Sequence, residues 1–227
     1  MSNKHGKRYR ACLEKAPQDK VTVSDAVAAL QGFPPAKFDQ TVNLAIHLGI
    51  DPRQADQAIR GSVSLPHGIG TTRKVIAFCE GADEAAAKAA GAIEAGSDEL
   101  IAKIQGGWTD FDVAISTPAM MKNVSKLGRV LGPQGKMPSP KAGTVVTDVA
   151  KAVTEYAAGK VEYRNDDGGN LHVPVGKVSF EPKKLAENID MFLGYVKRLR
   201  PASAKGTFMK KACIAATMTP AIQIDVQ

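Results

Sequence analysis

The sequence predicts an α/β fold in two parts: an α+β unit made from both chain ends, and a parallel α/β unit inserted between them. Three observations carry this. Near both ends, apolar residues alternate with polar ones, as in strands with one wet face. In the middle, apolar runs are continuous and separated by helical stretches, as in parallel strands buried on both faces. The texture changes at two places, Leu65–Gly70 and Gly159–Lys160. The expected division is residues 1–66 and 160–227 for the outer unit and 67–159 for the insertion, with two chain crossings between them. A pair of strands side by side at one crossing would make a natural hinge.

The elements follow in order. Lys7 to Lys15 reads as a short basic helix stopped by Pro17. Ser24 is the expected N-cap of a helix over "DAVAALQG". In "FDQTVNLAIHLGI", Val42, Leu44, Ile46 and Leu48 share one face, which predicts a half-buried strand. A short helix is expected after Pro52, then a strand over "GSVSLP". "KVIAFCE" and "FDVAIST" are the buried strands of the insertion. Around them lie the helices "DEAAAKAAGA" and "DELIAKIQGG", a short segment near Ile93, and a helix opened by Pro118. The stretch "GRVLGPQGKMPSPKAGTVV", Gly128 to Val146, reads as a stiff basic loop, after which Thr147 caps "DVAKAVTEYAAG". "KVEYR" and "LHVPVGKVSF" around "NDDGGN" suggest a hairpin. Leu185, Ile189, Phe192, Val196 and Leu199 mark one face of a helix begun by Pro182. Strands over "KKACIAATM" and "AIQIDVQ" close the chain.

Composition narrows the function. The 227 residues carry 30 Lys and Arg against 23 Asp and Glu, a net charge of +7, which favours a polyanionic partner. No apolar run is long enough to span a bilayer, and the basic N-terminus leads into no apolar segment, so neither a membrane span nor a secretory signal is expected. Cys12, Cys79 and Cys213 are scattered, as are His5, His47, His67 and His172. This predicts a cytoplasmic protein without disulfides, metal or cofactor.

Enzymatic motifs fail at their chemical positions. A phosphate-binding loop needs GxxxxGK[ST]; here Gly135-Lys136 is present, but Val130 and Met137 stand where glycine and Ser/Thr belong. "GIGTTR" has Arg73 in place of the third glycine of GxGxxG. Asp110 and Asp112 read as a strand edge, Asp166 and Asp167 as turn chemistry, and Ser116 lacks the GxSxG elbow. The rival reading from another class is a phosphate-handling α/β enzyme using the Gly/Pro-rich loop.

The cations concentrate in the outer unit: Lys4, Lys7, Arg8, Arg10 and Lys15 with Tyr9 among them, then Lys197, Arg198 and Arg200, then Lys205, Lys210 and Lys211. Phosphates draw on cations, whereas shape and base readout draw on neutral donors and flat surfaces. Phe38, Thr41, Thr217 and Met218 are candidates for the latter. Pattern alone leaves Phe38 and Met218 open between core and surface, since they share parity with Val42 and Ile214.

With these residues in view, the chain resembles the large-subunit ribosomal protein of the mobile side stalk, the "L-one" family, of bacterial type. "GRVLGPQGKMPSPKAGTV" is similar to that family's loop motif, and "KFDQTVNLAIHLGIDPR", "RGSVSLPHGIG", "HVPVGKVSF" and "AKGTFMK" follow the family in the same order. The resemblance implies a split β-α-β domain from both chain ends with an inserted Rossmann-like three-layer α/β domain that holds no cofactor. It implies binding to 23S rRNA of the stalk near the tRNA exit site, help in releasing deacylated tRNA, and repression of its own operon mRNA. It implies a monomer when free, located in the ribosome. The rRNA surface it implies comprises Lys37, Phe38, Thr41, Thr217, Met218, Thr219 and Lys210, with secondary RNA contacts at Arg129, Lys136, Lys141, Lys7 and Arg8. One departure falls in this surface. The family has Thr-Met-Gly-Pro where this chain has Thr217-Met218-Thr219-Pro220, so the threonine is expected either to crowd a close backbone approach or to add a hydroxyl donor.

Overall fold

The computed structural model describes residues 6–54 and 56–226. Lys4 and His5, and Gln227 at the end of the last expected strand, lie outside the described residues.

The elements in chain order are α1 (Lys7–Lys15), α2 (Val23–Gln31), β1 (Thr41–Leu48), β2 (Arg60–Val63), β3 (Val75–Phe78), α3 (Ala82–Ala89), β4 (Glu94–Gly96) and α4 (Asp98–Gln105). Then come β5 (Val113–Ser116), α5 (Met121–Val124), α6 (Gly128–Leu131), α7 (Val149–Ala157), β6 (Val161–Arg164), β7 (Asn170–Lys177), α8 (Pro182–Arg198), β8 (Met209–Ala216) and β9 (Ile222–Ile224). The chain divides into two compact units. One is drawn from both chain ends, up to Gly70 and from Val161 onward; the other is Thr71–Lys160. The first crossing lies beyond Pro66 for a physical reason. Leu65 and Ile69 are buried in the core of the terminal unit, and Asn188 of α8 holds the backbone of His67 and Gly68.

The terminal unit is built on a four-stranded sheet in the order β7-β1-β8-β9, with antiparallel neighbours throughout. The alternation in β1 becomes its geometry: Val42, Leu44 and Ile46 are fully buried and Leu48 nearly so, while Asn43 on the opposite face is exposed. Val42 lies opposite Ala216 and Leu44 opposite Ile214, so the register aligns the apolar faces of both strands. Leu185, Ile189, Phe192 and Val196 of α8 and Val27 and Leu30 of α2 complete this core. Pro174 is tolerated in β7 because that strand is at the edge, one step from an irregularity in the β1 pairing. A separate two-stranded ribbon pairs β2 with β6, Gly61 opposite Tyr163. A Cβ on Gly61 would come within 2.5 Å of the Tyr163 hydroxyl, so this position requires glycine. Tyr163 stands edge-on to Phe192 and Tyr195, which locks the ribbon to α8.

The inserted unit has a parallel sheet in the order β4-β3-β5. Alternate residues of β3 face two separate cores. Val75, Ala77 and Cys79 meet Val149, Val153 and Tyr156 of α7 and Ala87 of α3. Ile76 and Phe78 meet Leu100, Ile101 and Ile104 of α4 with Val124, Leu127 and Leu131. This is the expected three-layer α/β arrangement.

Several local expectations are corrected. Helix α2 is capped by Thr22, whose hydroxyl accepts from the Asp25 N–H, not by Ser24. Helix α7 is capped by Asp148, which accepts from the Lys151 N–H, not by Thr147. In each case the neighbouring hydroxyl residue sits one or two positions out of register for the N2 or N3 amide. The described residues after Pro52 form turns rather than a helix, because Asp51 and Gln57 close them with side-chain bonds. Pro118 begins a turn, and the helix starts only at Met121. "KVEYR" and "LHVPVGKVSF" do not form a laddered hairpin, for β6 pairs with β2 and β7 with β1. Asp166 makes the connection instead, its carboxylate accepting from the N–H groups of Gly168 and Asn170.

Candidate nucleic-acid interface

The approach to β1 is fixed before the strand begins. Asp39 accepts from the Ser179 hydroxyl at 2.7 Å, and Gln40 accepts from the Val178 N–H through its carbonyl. Gln40 is buried, and its side-chain oxygen accepts from the Met218 N–H at 3.0 Å. Thr217 reciprocates with Thr41: its hydroxyl accepts from the Thr41 N–H at 3.2 Å and donates to the Thr41 carbonyl at 3.4 Å. Lys177, opposite Thr41 in the β1–β7 register, donates to the Thr41 hydroxyl at 2.9 Å. Arg8 of α1 donates to the Met218 carbonyl at 2.9 Å. The start of β1, the turn after β8 and the first helix are thus tied into one hydrogen-bonded frame.

On that frame Phe38 is 50% and Met218 51% exposed. The question that parity left open is answered by where the strands stop. Strand β1 begins at Thr41 and β8 ends at Ala216, so the pleat reaches neither residue and its burial rule does not apply to them. Among the described residues only Leu13 and Ile93 are other large hydrophobics of comparable exposure. An apolar pair left outside the core, on a backbone with most of its polar groups paired, is suited to a flat partner such as a nucleobase.

Thr219 is tied to the end of its own strand, its hydroxyl also donating to the Ala216 carbonyl at 3.4 Å. Its hydroxyl turns inward and accepts from the Ala216 N–H at 2.9 Å, while its own N–H returns to the Ala216 carbonyl. No described non-glycine residue has positive φ, so this backbone does not demand glycine at the position. Lys37 is exposed beside Phe38. Lys210 is also exposed, but it lies seven residues from Thr217 along β8, about 24 Å at the rise of a strand. The hydrogen bonds therefore unite Thr41, Thr217, Met218 and Thr219, with Lys37 and Phe38 on the segment that leads into Gln40, and Lys210 lies apart. Sequence reasoning missed Gln40 and Lys177. Lys177 is brought to Thr41 only by strand register, and Gln40 reads in sequence as one more polar residue before a strand.

The secondary residues differ in kind. Lys7 is exposed on α1, whereas Arg8 is partly buried. Arg129 on α6 and Lys141 are exposed, but Lys136 is committed to the fold: its ammonium donates to the Thr109 carbonyl at 2.9 Å and lies over the Phe111 ring. The Gly/Pro-rich stretch is not a uniform loop. Gly128–Leu131 is helical, and Pro140–Ala142 forms a 3₁₀ turn that Gly143 ends in the left-handed region. Ser116 of β5 exchanges backbone bonds with Thr144 and Val146 of this segment, which covers the edge of β5, and the Tyr156 hydroxyl donates to the Ala142 carbonyl. It is a strap along the edge of the parallel sheet.

Reactive groups are muted. Burial, with help from Glu84 and Asp83, pushes the Cys79 thiol up to about 11, and burial raises Cys213 as well. Lys74 holds the Asp110 carboxyl below the ordinary range and binds Asp112 through its backbone N–H, so these two acids fasten a strand start. Among the described residues no group of three or more His, Cys, Asp or Glu is placed to hold a metal ion. No described helix is long and apolar enough to cross a membrane.

The chain is similar to known proteins along nearly its whole length. The chain is 53% identical over 223 residues to the large ribosomal subunit protein uL1 of Nitratidesulfovibrio vulgaris, covering 98% of this chain and 95% of that one. It is 51% identical over 225 residues to uL1 of Kosmotoga olearia, covering 99% and 97%, and 51% identical over 223 residues to uL1 of Cutibacterium acnes, covering 98% and 96%. Residues 30–220 match the ribosomal protein L1p/L10e family, and with such relatives along nearly its whole length the chain belongs to that family.

Proposed function

We propose that this chain is a structural constituent of the large ribosomal subunit and acts by recognition, without chemistry. Its terminal unit grips 23S rRNA of the mobile stalk near the tRNA exit site. The observation that carries this reading is the exposed pair Phe38 and Met218 on a frame closed by Gln40, Thr41 and Thr217. The frame is preformed, so little ordering cost is charged to binding. Lys37 and Lys7 supply salt-sensitive attraction, while the apolar pair and the threonines fix register. From the ribosome, the protein assists release of deacylated tRNA, with Arg129 and Lys141 of the inserted unit as secondary RNA contacts. Free of the ribosome, as a monomer, it represses its own operon by binding that mRNA through the same surface.

The test is filter binding of the purified chain to a stalk rRNA fragment against a scrambled competitor of equal length. The expected result is a strong preference for the stalk fragment, and competition between it and the operon leader. Equal affinity for both RNAs would reduce the protein to a general nucleic-acid binder and end the proposal.

A further inference from the structure

The charge of Arg8 invites the reading of a phosphate contact, but its placement argues otherwise. Helix α1 is docked by Cys12, which is fully buried. Arg8 lies four residues before Cys12, hence on the same, inward face of the helix. One guanidinium nitrogen, Nη2, donates to the Met218 carbonyl at 2.9 Å. The other, Nη1, is buried and has no hydrogen-bond partner among the described residues. An unpaired buried donor is costly, and its retention calls for an explanation. Holding Met218 supplies one. The Met218 N–H is fixed from the β1 side by Gln40, and its carbonyl is fixed from the α1 side by Arg8. The exposed Met218 side chain therefore projects from a peptide segment clamped at both ends.

We infer that Arg8 is a positioning residue, a strut that sets the Met218 turn for RNA, and not a phosphate contact. This rests on the RNA-binding reading of the same surface. Removing a phosphate contact lowers the slope of log K against log salt by about 0.7–0.9. Removing a strut lowers affinity and leaves that slope alone.

The experiment uses the full chain with Arg8→Met, which keeps the stem and deletes the fork, and Arg8→Lys, which keeps the charge and deletes the fork. Binding to the stalk rRNA fragment is measured from about 50 to 200 mM salt, the range over which phosphate contacts are expressed. The expected result for Arg8→Met is about tenfold weaker binding, the worth of one charged hydrogen bond, at an unchanged slope. Arg8→Lys should also lose several-fold, although a lysine serves a phosphate well as a point charge. Adding Thr217→Ala to Arg8→Met should cost less than Thr217→Ala alone, because both act through one turn. A second arm needs no RNA: amide exchange at Met218 and Thr219 in the free protein should quicken in Arg8→Met, with the amides of β1 unaffected. A slope reduced by about 0.7 or more, full affinity in Arg8→Lys, or unchanged exchange at both amides would overturn the strut. If the wild-type chain shows no preference for the stalk fragment, the RNA reading falls, and the exchange arm still decides the role of Arg8.

Discussion

Phe38→Ala tests the proposed interface most directly, because about half of this residue is left exposed. Phe38 is 50% exposed. An aromatic side chain offers about 150–250 Å² in all, so about 100 Å² is available for a base to cover. At about 25 cal/mol per Å² the upper limit of its contribution to binding is about 2.5 kcal/mol. Truncating an aromatic platform under a base costs about 1–3 kcal/mol. The expected loss is therefore about 1–2.5 kcal/mol, or about five- to seventyfold in Kd. The buried half sets a similar upper limit on lost stability. Starting from at least about 5 kcal/mol, the variant would still be about 98% folded, so unfolding accounts for almost none of the affinity change. The assay is filter binding over a salt series, with urea denaturation of the same samples. The salt slope should not move, since the ring carries no charge. Wild-type affinity in Phe38→Ala, or a loss that appears only as a change in slope, would refute the assignment of Phe38 to the partner.

Four further outcomes follow from the same geometry. Raising salt from about 50 to 200 mM should weaken wild-type binding about a thousandfold if six or so phosphates are contacted; a flat response in filter binding would remove the electrostatic part. Thr219→Val leaves the Ala216 N–H without its hydroxyl and should cost about 1–2 kcal/mol in urea denaturation, with faster exchange at that amide. Asn188→Ala removes three bonds from a fully buried side chain, to His67, Gly68 and Val175, and should destabilise the terminal unit by about 3–4 kcal/mol in the same assay. Asp166 is held below the ordinary carboxylate range, chiefly by Asn170, so its contribution to the turn is present at neutral pH and is lost only as pH falls through that lowered value. A carboxylate NMR titration reads this directly, and an unshifted Asp166 would contradict the turn geometry.

What the sequence revealed and what it concealed divide along one physical line. Signals within a strand or helix were legible: the apolar alternation in β1, the double-faced burial of β3 and the stripe of α8 all appear as spacing. Signals that depend on which strands meet were not. The segments flanking Asp166 read as partners, yet each forms its ladder with a strand from the other end of the chain, β6 with β2 and β7 with β1. Asn188 looks like an interruption of an apolar face, because the backbone groups it satisfies come from the Leu65–Gly70 segment and from β7. Lys136 and Arg8 read as free cations until their acceptors, Thr109 and Met218, are placed.

The candidate interface is an extreme case of the same rule. Its bonds join residues 136 apart for Lys177–Thr41, 176 for Thr217–Thr41, 178 for Met218–Gln40 and 210 for Arg8–Met218. No local window contains any of these pairs, which is why Phe38 and Met218 could be marked only as either core or surface. The same distances explain the chain order. Every bond of the frame closes among residues of the terminal unit, from α1, the start of β1, the end of β7 and the turn after β8. The inserted residues Thr71–Lys160 contribute none of them. An insertion between β2 and β6 therefore adds sequence without altering the geometry of the surface, provided the two crossings are held. Asn188 holds the first through His67 and Gly68, and the Gly61–Tyr163 pairing holds the second. Variants at Asn188 and at Gly61 should consequently disturb the stability of the terminal unit while leaving the Met218 turn in place, whereas variants at Gln40 or Thr217 should free that turn directly.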